Sequence, residues 1–161
     1  MEKIRADELL KKGQAVEFMP QGYSMYPTIV PGRDSVVVAP LNGRRLKRGD
    51  VALFRRNPEQ MNGMTGNITD EQRKNGMLVI HRVWRRKKDG IYMVGDNESL
   101  VEGPLAEEQF CGIMTELHRK GKRIGRNNII YRFLEGIWLF LRPVRPQLSG
   151  FAAKIKKARK K

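Results

Sequence analysis

The chain has a single cysteine, Cys111, among its 161 residues. One thiol excludes an intrachain disulfide and a cysteine-rich zinc site. Its setting, Phe110-Cys111-Gly112-Ile113-Met114, reads as a small buried hydrophobe rather than a reactive thiol. Histidine is nearly as scarce, and His81 and His118 stand without a close His/Cys/Asp/Glu ligand set, so neither a metal site nor a cofactor is expected. Long apolar runs are missing too, none approaching the ~20 residues that cross a bilayer comfortably. Met1 to Lys12 is charged throughout and lacks the apolar segment of a cleavable signal peptide. The expectation is therefore a cytoplasmic protein or a peripheral, membrane-associated one.

Acidic side chains are in deficit: 17 Asp and Glu stand against 32 Lys and Arg, a formal charge of +15. Such an excess suits nucleic acid or an anionic membrane surface. Much of it lies in Arg44-Arg45-Leu46-Lys47-Arg48, Arg85-Arg86-Lys87-Lys88 and the tail from Lys154 to Lys161. Each cluster sits beside a turn or at a terminus, where solvated surface is the plain alternative. No helix-turn-helix, zinc-finger spacing or aromatic RNA-binding signature accompanies them, which makes nucleic acid the unlikely partner. The length, with 40% hydrophobic residues, is enough for one domain with its own core plus extensions.

Taken in order, Lys3 to Lys12 carries Ala6, Leu9 and Leu10 on one helical face and ends at Gly13, so residues 1–13 are expected to form a short helix. Ala15 to Phe18, the β-branched run Ser35 to Val38 and the segment Val51 to Arg55 read as strands separated by turns such as Pro31-Gly32-Arg33-Asp34. Residues 57–77 are polar, rich in Gly, Asn and Met, and read as a long loop, either functional or simply mobile surface. Leu78 to Trp84 and Ile91 to Val94 make a hairpin about the charged turn Arg85 to Gly90. A last strand within Gln109 to Leu117 places Cys111, Ile113, Thr115 and Leu117 on one side. The sum is a mainly β, antiparallel domain over residues 14–120.

Residues 121–161 differ in character. Asn127-Asn128 is positioned to start a helix through Ile129, Phe133, Ile137 and Leu141, stopped by Pro143, with Arg132, Glu135 and Arg142 as a narrow polar stripe. The wide apolar face and nearby arginines suit an interfacial membrane helix; docking on its own domain or on another copy is the structural alternative.

Four segments occur in a telling order: Ser24-Met25-Tyr26-Pro27-Thr28, then Leu46-Lys47-Arg48-Gly49-Asp50-Val51, then Val79-Ile80-His81-Arg82-Val83, then Val94-Gly95-Asp96-Asn97. Together, from about Phe18 to about Leu117, they resemble type I signal peptidases and the related LexA-like peptidases. Where the bacterial and LexA branches carry a lysine base, this chain has His81, which is similar to the serine-histidine branch of endoplasmic-reticulum and archaeal signal peptidases. The resemblance implies a signal-peptidase-like β domain and a serine endopeptidase acting on a protein or peptide with a signal, leader or propeptide segment. It implies Ser24 as nucleophile, His81 as base, the Ser24 backbone N–H as an oxyanion donor, and Asp96 as the carboxylate orienting the imidazole. Family members of this branch often place a second acid shortly after Gly-Asp-Asn, and Glu102 stands as its candidate here; Asp50 is a further supporting residue. A LexA-like self-cleaving peptidase fits less well, because a DNA-binding domain, the lysine and an obvious cleavable hinge are missing. A basic binding module that retains the fold without turnover is the alternative of a different class. An evident N-terminal transmembrane anchor is lacking; either the amphipathic C-terminal segment substitutes for it, or the substrate is soluble.

Overall fold

The computed structural model describes residues 5–64 and 66–142. In chain order its elements are α1 (Ala6–Lys11), β1 (Val16–Phe18), β2 (Asp34–Ala39), β3 (Val51–Arg56), a 3-10 turn (Pro58–Met61), α2 (Asp70–Asn75), β4 (Met77–Lys87), β5 (Gly90–Val94), β6 (Val101–Leu105), a second 3-10 turn (Glu107–Gln109), β7 (Phe110–Arg119), β8 (Lys122–Gly125) and α3 (Ile129–Phe140). The architecture is mainly β, with all strands antiparallel in one sheet ordered β1-β2-β7-β3-β4-β5-β6 and β8 added to β7.

Alternation explains β2, which buries Asp34, Val36 and Val38 and leaves the intervening residues partly exposed. β3 is buried on both faces from Val51 to Phe54, because Val51 and Leu53 enter one core cluster and Ala52 and Phe54 another. β7 is the hub. One of its edges pairs with β2, and the other pairs first with β3 and then with β8. Serving three partners requires bulges, and the register slips between Val37 and Val38 and between Leu53 and Phe54 provide them.

Those bulges break the expected one-sided row on β7. Met114 and Leu117 join Met25, Ile29, Val36 and Val38 in one core cluster, whereas Ile113 joins Phe54, Val83, Ile91, Met93 and Leu105 in another. Leu10 of α1 belongs to the first cluster, so the short N-terminal helix is held by packing rather than by its own propensity.

The segment expected to be a loop contains more order than its composition suggests. Thr69 Oγ1 accepts from the Gln72 N–H (3.2 Å) and Gln72 Oε1 accepts from the Thr69 N–H (2.9 Å), a reciprocal cap that starts α2. The β4–β5 hairpin is tighter than expected: Lys87 pairs with Gly90, leaving Lys88-Asp89 as its turn. His118 lies on β7, and the turn that follows is Lys120-Gly121, with φ of 50° and 75°, the positive pair a two-residue hairpin loop requires. β6 and β8 extend the sheet beyond the expected strands, and β8 carries it past residue 120. The start of the N-terminal helix before Arg5, Pro143 and the basic tail lie outside the described residues. Among the described residues no helix is long and apolar enough to cross a membrane.

Candidate active site

Ser24 sits on a turn whose neighbours anchor it from below. Met25 and Ile29 are 3% and 1% exposed, whereas Tyr23 and Tyr26 point outward. The Ile29 N–H donates to the Met25 carbonyl (2.9 Å), which tightens the loop. The Ser24 carbonyl accepts from the Asn97 N–H at 2.7 Å, so the serine turn is pinned to the loop between β5 and β6. Gly95 makes that approach possible, since a Cβ there would stand 2.7 Å from the Ser24 carbonyl oxygen.

β4 carries His81 and Arg82 side by side, and strand alternation sends them to opposite faces. The His81 ring lies 6.1 Å from the ring of Phe54, which stacks in turn against Phe110. Ser24 and His81 line one groove of about 510 Å³, shared with Phe18, Leu53, Arg56 and Glu98. Burial pushes the imidazole down to about 4; Glu102 pulls it upward, Arg56 lowers it further and Asp96 raises it. The ring is thus neutral at pH 7, the form that can take a proton.

Two glutamates approach the imidazole nitrogens. Glu102 Oε2 is 3.9 Å from Nδ1, and Glu98 Oε2 is 3.6 Å from Nε2. Nδ1 is buried without a hydrogen bond. Glu102 is fixed by Arg56 at the end of β3, whose Nε and Nη2 each donate to it at 2.6 Å, a bidentate clamp that holds the carboxylate beside the ring. Glu98, 42% exposed at its side chain, stands at the groove mouth, its carboxyl raised by burial against the opposing pull of Arg56.

Asp96, expected to orient the imidazole, directs its carboxylate to Arg82, accepting from Nε at 2.8 Å and from Nη2 at 2.7 Å, and it also accepts from Thr28 Oγ1. Arg82 and Asp96 are both fully buried. Burial alone would lower the Arg82 guanidinium, but the Asp96 carboxylate outweighs it and the side chain is held charged. Its Nη1 donates to the Gly49 carbonyl (2.9 Å) and to Glu135 of α3 (2.6 Å). Trp138 of α3 donates from Nε1 to the Asp96 carbonyl oxygen at 3.0 Å. One buried arginine therefore joins the serine turn, the β3 entry, the Asp96 loop and α3.

Asp50 lies elsewhere. It caps the turn into β3 by accepting from the Lys47 N–H (2.8 Å), pairs with Arg126, and lines a separate groove of about 420 Å³ with Tyr131, Glu135 and Leu139. His118 bridges Glu17 (2.7 Å) and Glu116 (2.9 Å) at the surface. Among the described residues no three His, Cys, Asp or Glu side chains gather to hold a metal ion.

Arg56, Arg82, Glu98 and Glu135 escaped assignment in the sequence. Arg82 left the clearest signal, because an arginine inside Val79-Ile80-His81-Arg82-Val83 must find a carboxylate if the strand is buried. Compared with known proteins, the chain matches no family model, no curated protein and no solved structure.

Proposed function

We propose that this protein is a serine endopeptidase that cleaves a signal, leader or propeptide segment by a Ser24–His81 mechanism, as its resemblance to signal peptidases implies. The observation that carries the proposal is the shared groove of Ser24 and a buried, neutral His81, two residues distant in sequence. An isolated serine hydroxyl is a weak nucleophile, and a neutral imidazole within reach is what activates it. His81 takes the Ser24 proton as Oγ attacks the peptide carbonyl, and gives it to the leaving amine as the C–N bond breaks. Water then adds to the acyl ester, losing its proton to His81, and Ser24 recovers its hydrogen. The Ser24 backbone N–H serves the oxyanion. Glu102, clamped by Arg56 beside Nδ1, is the carboxylate best placed to steady the imidazolium; Asp96 acts one step back, through Arg82 and the serine turn.

The test is incubation of purified protein with a library of extended peptides, with new termini read by mass spectrometry. Wild type is expected to cut, and Ser24→Ala and His81→Ala each to lose at least about 1000-fold in rate while remaining folded. Cleavage that persists in Ser24→Ala removes the mechanism. Absence of cleavage by folded wild type across the library favours the binding-module alternative.

A further inference from the structure

The face of α3 turned away from the domain is apolar. Ile130, Phe133, Leu134 and Phe140 are 72%, 67%, 58% and 82% exposed, while Leu139 is buried and Glu135 reaches inward to Arg82. Glu135, from the expected polar stripe, is therefore on the docking face of the helix. α3 has 12 residues, about 18 Å of helix, too short to cross a bilayer and suited to lying on one.

At the C-terminal end of that helix three guanidiniums crowd one indole. Arg48, Arg85 and Arg142 stand 4.8, 5.5 and 4.7 Å from the Trp84 ring. None of the three forms an ion pair among the described residues, nor does Arg132 on α3 itself. Arg142 is lowered first by burial and then by its like-charged neighbour Arg85, and its Nη2 donates to the Ser99 carbonyl (2.6 Å).

We propose that this surface, the outer face of α3 with the Trp84 arginine cluster beside it, docks on an anionic lipid membrane. Lipid phosphates neutralise the guanidiniums, Trp84 sits at headgroup depth, and Phe133 and Phe140 enter the acyl boundary. A second copy is a poorer occupant, since pairing two chains of charge +15 through this face opposes like charges. Nucleic acid would meet the arginines but leave the isoleucine and phenylalanine face unused. The proposal stands independently of the peptidase reading, because its readout is binding alone.

The experiment is flotation of the full chain with vesicles of phosphatidylcholine, with and without about one quarter phosphatidylglycerol. Expected is partition onto the anionic vesicles, weaker by about tenfold or more on phosphatidylcholine alone, and a similar loss for Phe133→Ser/Phe140→Ser and for Arg48→Gln/Arg85→Gln/Arg142→Gln, with circular dichroism unchanged. These substitutions fall on exposed or half-exposed positions, so they spare the core. Flotation unaffected by Phe133→Ser/Phe140→Ser would assign lipid binding to the basic tail and overturn the role of α3. No flotation, or a dimer in light scattering that the same substitutions dissociate, would overturn the proposal as well.

Discussion

At the scale of single residues, His81 sets the pH behaviour. Its ordinary value is 6.5 and burial brings it to about 4, so between these values an unfolded chain binds a proton that the folded one refuses. Folding stability therefore falls as pH drops through that window, by on the order of 3 kcal/mol at the limit, and is intact above it. Urea titrations of wild type and His81→Gln should show this acid slope in wild type and a shallower one in the variant. In the same reading kcat/KM stays level from neutral pH to about pH 5, with its acid limb near 4 instead of 6.5. An acid limb at 6.5 would mean that the working imidazole is solvated.

At the scale of elements, α3 is wired to the loop that holds the serine turn. Glu135 and Trp138 reach Arg82 and the Asp96 carbonyl, and Asn97 holds the Ser24 carbonyl. Glu135→Gln removes one of two carboxylates from a buried arginine while Asp96 remains. The expected cost is about 1–3 kcal/mol in urea unfolding, with kcat falling more than KM rises because the serine turn loosens. An unchanged urea midpoint would show that α3 docks without help from this bridge. The same element shows the limit of pattern reading: the sequence marks a helix with Glu135 in a narrow polar stripe, and only the fold shows that Glu135 meets Arg82. A glutamate is a poor guide to orientation when a buried arginine from β4 waits for it.

At the scale of the whole molecule, charge dominates. The +15 excess repels itself, whereas the Arg82–Asp96 and Arg119–Asp34 pairs have carboxylates fully buried and are screened little. Raising sodium chloride from about 20 mM to about 300 mM should therefore raise Tm, because screening relieves the repulsion more than it weakens the pairs. A falling Tm would make the surface ion pairs the larger contribution. The strand ladder itself was largely legible. β2, β3, β4, β5 and β7 follow from β-branched runs and turn residues, since each buries a face that the local pattern already marks. β6, with Gly103-Pro104 inside it, and α2, with polar residues throughout, were not, because one is a strand only through pairing with β5 and the other depends on its Thr69–Gln72 cap.

The sequence by itself determined a mainly antiparallel β chain and an amphipathic terminal helix, because residue periodicity is a local property, and its resemblance to signal peptidases made Ser24, His81, Asp96 and Glu102 candidates. Tertiary structure decided the partners. It gave Asp96 to Arg82 and brought Glu98 and Glu102 to the imidazole. It also placed Asp50 in another groove and turned the apolar side of α3 outward. A carboxylate goes to the cation that burial would otherwise leave unpaired, and which cation that is depends on strands and loops meeting from distant parts of the chain.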